Sequence, residues 1–366
     1  MRIAFRADAS VQIGTGHVMR CLTLADALRA QGHECLFICR DHPGNLSELI
    51  ARRGFELHLL SQETEALHSN GSEDAATPEH AQWLGVQWQQ DAAQTLNALN
   101  GKKTDWLVVD HYALDVNWER RVAAQVNNIM VIDDLADRPH QCQLLLDQNL
   151  GREAQDYDGL IPEACTRLIG PHYALLRPEF AELREASLER RKTPKLERIL
   201  ITLGGVDQNN VTGQVLDALA QSSLPPETEL DIVMGASAPA LEAVRQQSEA
   251  LPFRSSVSVN VSDMAQRMCK ADLCIGAAGS TSWERCCLGL PTVTMVLAEN
   301  QKEAAEAMAR QGASFVIKNT EHLQAELERL LTANQFMDNL VAMSMAGASL
   351  VDGLGCQRVI NHLGTD

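Results

Sequence analysis

Short aliphatic runs alternate with amphipathic stretches along most of this chain. In its first half the runs Arg2–Ala7, Glu34–Cys39, Phe55–Leu59, Trp106–Asp110, Ile129–Asp133 and Leu144–Asp147 predict strands. Several are continuously apolar, as parallel strands covered on both faces are. Between the first two, Val18–Gln31 predicts a helix that stops at Gly32. Strand, helix, strand in that order is the grammar of a doubly wound α/β sheet. Residues 61–104 break the rhythm: they are polar and Gln-rich, and predict a loop followed by a helix near Gln87–Leu99. Trp83, Leu84, Val86 and Trp88 give this stretch something to bury, so it does not read as a low-complexity linker.

The rhythm restarts in the second half. Strands are expected at Arg198–Leu203, Leu230–Met234, Ser255–Val259, Leu273–Gly276, Thr292–Leu297 and Ser314–Ile317. Helices are expected near Asn210–Gln221, Ala238–Gln247, Met264–Lys270, Thr281–Leu288, Gln301–Gln311 and Glu321–Leu331. Two such series in one chain predict two Rossmann-like domains facing a cleft. The expected bounds are residues 1–160 for the first domain and 196–345 for the second, with 161–195, charged and proline-punctuated, as the connection. Residues 346–366 are expected to form a C-terminal helix that packs back on the first domain.

Composition narrows the function classes. With 31 basic against 48 acidic residues, broad binding to nucleic acid or to an anionic membrane is not expected. A local anion site survives that argument, because backbone N–H groups at helix N-termini hold phosphate in acidic proteins too. The 10 cysteines form no Cys-x-x-Cys pair and have no matching histidine spacing, so reduced thiols, and no metal, are expected. Arg6 and Asp8 interrupt any apolar leader core, and no apolar run approaching the ~18 residues of a membrane span is expected. A cytoplasmic protein, monomeric and without a bound cofactor, is the expectation.

Candidate chemistry gathers where strands give way to helices. The first junction carries Gly14, Gly16, His17 and Arg20. Two glycines before a helix let the backbone approach a phosphate or a sugar, although the third glycine of a dinucleotide fingerprint is absent. A histidine in the first helical turn meets the positive end of the helix dipole, which favours the neutral, proton-accepting ring. A plain capping histidine fits the local sequence as well. Asp8 either orients that ring or merely ends its strand. Asp110, His111 and Tyr112 follow the fourth strand, where such sheets border their ligands, and His111 reads as structural. The adjacent Asp133 and Asp134 point to opposite faces of an extended strand and suit a turn better than shared ligation.

In the second half Gly204 and Gly205 form a strand-to-helix turn that either presents N–H groups to a pyrophosphate or simply turns. Gly276, Ser280, Thr281 and Glu284 form a second glycine-rich turn onto a helix, and Gly289, Pro291, Asn300 and Gln301 follow. A carboxylate at Glu284 suits the two hydroxyls of a ribose. Thr281 and Glu284 also have the spacing of a capping box, which needs no ligand.

Taken together, the second-domain motifs resemble the donor-binding domain of GT-B nucleotide-sugar enzymes, a group that includes the peptidoglycan N-acetylglucosaminyltransferase. The first-domain motifs are Phe5-Arg6-Ala7-Asp8, Ile13 to Arg20, Asp110-His111-Tyr112, Asp156 to Leu160 and Tyr173 to Phe180. They are similar to the UDP-2,4-diacetamido-2,4,6-trideoxy-β-L-altropyranose hydrolases of pseudaminic acid biosynthesis. The motifs keep their order over roughly residues 1–305. The resemblance implies a GT-B-like fold and a UDP-sugar substrate, attacked by water at the anomeric carbon with inversion and without a metal ion. It implies that His17 is the general base, with Gly14, Gly16, Arg20, Tyr112, Asn300 and Gln301 on the substrate. Gly204, Gly205, Gly276, Ser280 and Thr281 would hold the pyrophosphate, and Glu284 the ribose. The chain departs from the family at 61–104, where shorter connections also occur. A GT-B glycosyltransferase with a sugar or lipid acceptor, and a silent nucleotide-sugar-binding protein, are the competing readings.

Overall fold

The structure, a computed structural model, describes residues 1–62, 78–297 and 301–364. It divides into two compact units, Met1–Leu175 with Gly355–Asp366, and Leu176–Leu354. The first unit holds β1 (Arg2–Ala7), β2 (Glu34–Arg40), β3 (Glu56–Leu60), β4 (Thr104–Asp110), β5 (Val126–Ile132), β6 (Leu144–Asp147) and β7 (Thr166–Ile169). These pair in parallel in the order β3-β2-β1-β4-β5-β6-β7. Successive side chains of a strand enter opposite faces, and both faces are filled. Ile3, Phe5 and Phe37 join one core cluster, while Ala4, Leu36 and Ile38 join another. That double burial is why the runs read as continuously apolar rather than alternating.

The second unit repeats the plan with β8 (Arg198–Thr202), β9 (Glu229–Met234), β10 (Arg254–Val259), β11 (Leu273–Ala277), β12 (Thr292–Met295) and β13 (Phe315–Ile317). Their order is β10-β9-β8-β11-β12-β13, again parallel. In each sheet the winding reverses once, between β1 and β4 and between β8 and β11. Such switch points leave a crevice beyond the strands' carboxyl ends, where ligands of open α/β sheets bind.

The segment 161–195, expected as a connection, is partitioned instead. Thr166–Ile169 is the edge strand β7, and Pro178–Arg191 is a helix of the second unit. That helix is fixed by buried arginine contacts: Arg191 donates to the carbonyls of Leu288, Ala271 and Met268 at 3.0, 2.9 and 2.9 Å. Its crowded charges concealed a buried face. The last helix, Gly355–His362, places Val359 and Ile360 in the first unit's core. Gly355 lies so close to the chain that a Cβ there would stand 2.2 Å from the Ala174 carbonyl. The expectation that no run approaches a membrane span meets one exception. By length and composition Phe336–His362 is apolar enough to cross a membrane. The structure breaks it into the helices Phe336–Leu350 and Gly355–His362.

Candidate active site

The β1 turn carries the first cluster. Gly14 has φ +81°, a left-handed backbone that glycine adopts without strain, and its N–H donates to the Ser10 carbonyl at 2.9 Å. The Ser10 hydroxyl accepts from the N–H groups of Gln12 and Ile13 at 3.1 and 2.9 Å, so the turn is tied to itself before the helix Gly16–Ala30 begins. No side chain caps that helix, and its first-turn amides have no intrahelical acceptor.

His17 enters the first turn of this helix 7% exposed. Its partner is Asp110, not Asp8: His17 Nδ1 stands 2.6 Å from Asp110 Oδ1. Parallel pairing sets Ala7, the last residue of β1, against Asp110, the last of β4, and so brings the carboxylate beside the turn. Burial resists ionisation of Asp110, yet the Arg20 guanidinium, and then His17, hold its carboxyl well below the usual carboxylate range. An ionised carboxylate only accepts, so Nδ1 carries the hydrogen, and in the neutral ring Nε2 keeps a lone pair. Among the described residues nothing bonds Nε2.

Arg20, expected on the substrate, is engaged inside the protein. It donates to both Asp110 oxygens, at 2.6 and 2.7 Å, and its third nitrogen lies 2.8 Å from Asp134 Oδ2. Tyr112 donates to the same Asp134 oxygen at 2.8 Å and meets the His17 ring edge-on, centroids 4.6 Å apart. His17, Asp110, Arg20, Asp134 and Tyr112 thus form one network between the helix Gly16–Ala30 and the ends of β4 and β5. Asp133 faces the other way, holding Arg138 at 2.9 Å and accepting from the Ala136 N–H. His111 is structural: its Nδ1 accepts from the Ala113 N–H at 3.0 Å.

Asp8 belongs to a fully buried ionic cluster beneath this network. Arg6 donates to Asp8 at 2.5 and 2.9 Å and to Asp91 at 2.6 and 3.2 Å, while Arg40 donates to Asp91 at 2.5 Å. Asp91 also accepts from the Trp118 indole at 2.9 Å. Two cations face two anions, with all four residues at 0% exposure.

In the second unit the β8 turn leaves Gly204 and Gly205 exposed. The following helix, Val211–Ala220, is closed by its own side chains: Asp207 accepts from the N–H groups of Val211 and Thr212, and Asn210 from that of Gly213. Any anion here would meet the glycine turn rather than the helix end. The β11 turn differs. The helix Thr281–Cys287 has Ser280 as N-cap with no side-chain cap, so the capping box is absent. Gly276 leaves room for a buried guanidinium, since a Cβ there would stand 2.5 Å from Arg285 Nη1. Arg285 donates to the Ala277 carbonyl at 2.8 Å and to the hydroxyls of Ser282 and Thr281 at 3.0 and 3.2 Å, bracing the turn from behind. Burial pushes the Glu284 carboxyl up to about 7, against the pull of Arg177 3.7 Å away. Gln301 accepts from the Leu297 N–H at 3.1 Å, a loop-holding contact. Asn300 lies outside the described residues.

Two like-wound parallel sheets, each with a glycine-bearing turn at its switch point, define a GT-B-like fold. Residues 198–352 match the glycosyltransferase family 28 C-terminal domain. Over its length the chain resembles the UDP-2,4-diacetamido-2,4,6-trideoxy-β-L-altropyranose hydrolase of Campylobacter jejuni subsp. jejuni serotype O:2. The two are 26% identical over 312 residues, 85% of this chain and 97% of that protein. The spore coat polysaccharide biosynthesis protein SpsG of Bacillus subtilis is 25% identical, over 98% of this chain and 96% of its own. Among solved structures, MurG of Acinetobacter baumannii shares the fold with a TM-score of 0.68 at 16% identity, covering 100% of this chain and 99% of that one.

Proposed function

We propose that this chain hydrolyses a UDP-sugar, UDP-2,4-diacetamido-2,4,6-trideoxy-β-L-altropyranose, to UDP and the free sugar, a step of pseudaminic acid biosynthesis. The observation that carries the reading is the His17–Asp110 pair, 2.6 Å apart, with no bond to Nε2 among the described residues. Water is the nucleophile. Nε2 takes one of its protons as the water oxygen forms a bond to the anomeric carbon. The bond from that carbon to the diphosphate oxygen breaks, and UDP departs with the electron pair. Attack opposite the leaving group inverts the centre. The imidazolium that forms is stabilised through Nδ1–H by Asp110. UDP is a good leaving group, so the acid that ordinary glycosides need is dispensable. The turns at Gly204–Gly205 and Gly276–Thr281 offer N–H groups to the diphosphate, and Glu284 accepts from the ribose hydroxyls.

Incubation of the protein with this donor in ¹⁸O-water, without acceptor, tests the reading. Equal amounts of UDP and free sugar are expected by NMR, with label at the anomeric carbon and an inverted first product. Label in the phosphate would overturn it. The glycosyltransferase reading is favoured by the match over residues 198–352; it predicts UDP release only when an acceptor is added.

Glu284 makes UDP affinity depend on pH. Its carboxyl, pushed up to about 7, must be ionised to accept from two hydroxyls. UDP affinity is therefore expected to fall as pH drops from 8 to 6 in calorimetry. Glu284→Gln should flatten that dependence, leaving only the titration of the UDP phosphate. The sign for the free protein is opposite. A carboxyl raised by folding favours the folded state below its unfolded value, and that contribution is lost as pH rises through about 7.

A further inference from the structure

Beside His17 stands a group of rings that the hydrolytic step does not use. His80 and Trp83 lie 4.3 Å apart between centroids, and Tyr112 sits 5.6 Å from His80 and 6.0 Å from Trp83. Tyr112 in turn touches His17. The chain has only 5 tryptophans and 3 tyrosines, so this is a marked concentration of aromatic surface. It is not core. Leu84, next to Trp83, is 1% exposed and belongs to a hydrophobic cluster of the first unit. None of His80, Trp83 and Tyr112 joins any of the three clusters, and all three are half-buried. Among the described residues the Trp83 indole N–H has no hydrogen-bond partner.

The rings are held firmly. Trp83 and His80 belong to one tight turn, with the Trp83 N–H donating to the His80 carbonyl at 2.9 Å. Leu84 anchors the turn below. Gly85 follows at φ +77°, where a Cβ would stand 2.9 Å from the His42 ring. Arg40 clamps the stretch at both ends, donating to the Ser61 carbonyl at 2.5 Å and to Asp91 and Gln94 at 2.5 and 2.8 Å. Half-exposed aromatic faces packed against a tyrosine that touches His17 are what a sugar-binding wall requires. They take apolar C–H and methyl surface at little entropic cost, and the indole N–H can serve an amide oxygen.

We propose that Trp83, with His80, is a specificity-determining wall beside His17 that recognises the methyl and acetamido groups of the donor's sugar. The substrate class rests on the hydrolase reading; the wall itself rests on the ring geometry. The described part of the polar stretch, residues 78–104, thereby has a function: its first turn carries His80 and Trp83 to Tyr112, just beyond the end of β4.

The test uses the full chain, with UDP-2,4-diacetamido-2,4,6-trideoxy-β-L-altropyranose and UDP alone as probes. For Trp83→Ala the KM is expected to rise about tenfold or more, with kcat within about threefold of wild type and inhibition by UDP unchanged. Trp83→Phe, which keeps an aromatic face, should recover most of the loss. An unchanged KM in a folded Trp83→Ala protein overturns the proposal, as does a parallel loss of UDP affinity. Should the wild type not turn over this donor, calorimetry separates the two failures. A wild-type preference for the UDP-sugar over UDP that Trp83→Ala abolishes supports the wall whatever the reaction. A UDP-sugar that binds wild type no better than UDP leaves the wall nothing to hold, and the proposal falls.

Discussion

Replacing His17 with asparagine is expected to lower kcat about 10²- to 10⁴-fold while UDP still binds, the range for removal of a positioned general base. The same loss is expected from Asp110→Asn. An amide can present its NH₂ to Nδ1, and the ring then turns its hydrogen to Nε2, the position that must accept from water. On the proposed reading the two residues act as one unit, so the double variant should be little worse than His17→Asn alone. Additive losses would show that Asp110 contributes independently of the ring. Steady-state UDP release with calorimetric UDP affinity for all three variants distinguishes these outcomes.

Asp91→Ala should give the largest loss of stability, about 3–5 kcal/mol, the usual cost of breaking a buried ion pair by removing one partner. The cluster then holds Arg6 and Arg40 against Asp8 alone, at 0% exposure, and Trp118 loses its acceptor. Asp8 cannot compensate by moving, because it also accepts from the Arg40 N–H at 2.7 Å. Urea unfolding followed by tryptophan fluorescence measures the effect. Because two units need not unfold together, the transition to compare is that of the first unit, which holds Asp91 and Trp118. A shift of that midpoint corresponding to under 1 kcal/mol would mean that water reaches the cluster and screens it.

The strands were legible because each sheet is buried on both faces. Ile3-Ala4-Phe5 and Leu200-Ile201 are apolar without alternation, which is the signature of covered parallel strands. β7 escaped notice, since Thr166 and Arg167 at its start are polar and it is a short edge strand. The candidate site was legible where local chain chemistry announces it, as at Gly14, Gly16 and His17, or at Gly276 and Glu284. It was illegible where partners come from distant sequence. Asp110 was visible at a strand end, but its role depends on β4 being the neighbour of β1, a fact of topology rather than of spacing. Arg20 was expected on the substrate, and the partners that hold it, Asp110 and Asp134, are carboxylates more than 85 residues away. Asp91 and Arg40 gave no local sign at all, and Arg177 beside Glu284 was visible only as part of a motif.

The return of the final helix sets a temporal order on folding. Leu363 accepts from the Trp106 indole at 3.0 Å, and Arg358 donates to the His172 carbonyl at 2.9 Å, so the opening unit is finished by residues made after the second unit. Domains emerging from a ribosome generally fold from the N-terminus onward. Here the first sheet can collapse early, but the apolar patch that will receive Cys356, Val359 and Ile360 stays uncovered until the whole second sheet has been synthesised. Newly made chains therefore expose that apolar patch while residues 176–354 are synthesised, and chaperone demand should concentrate there.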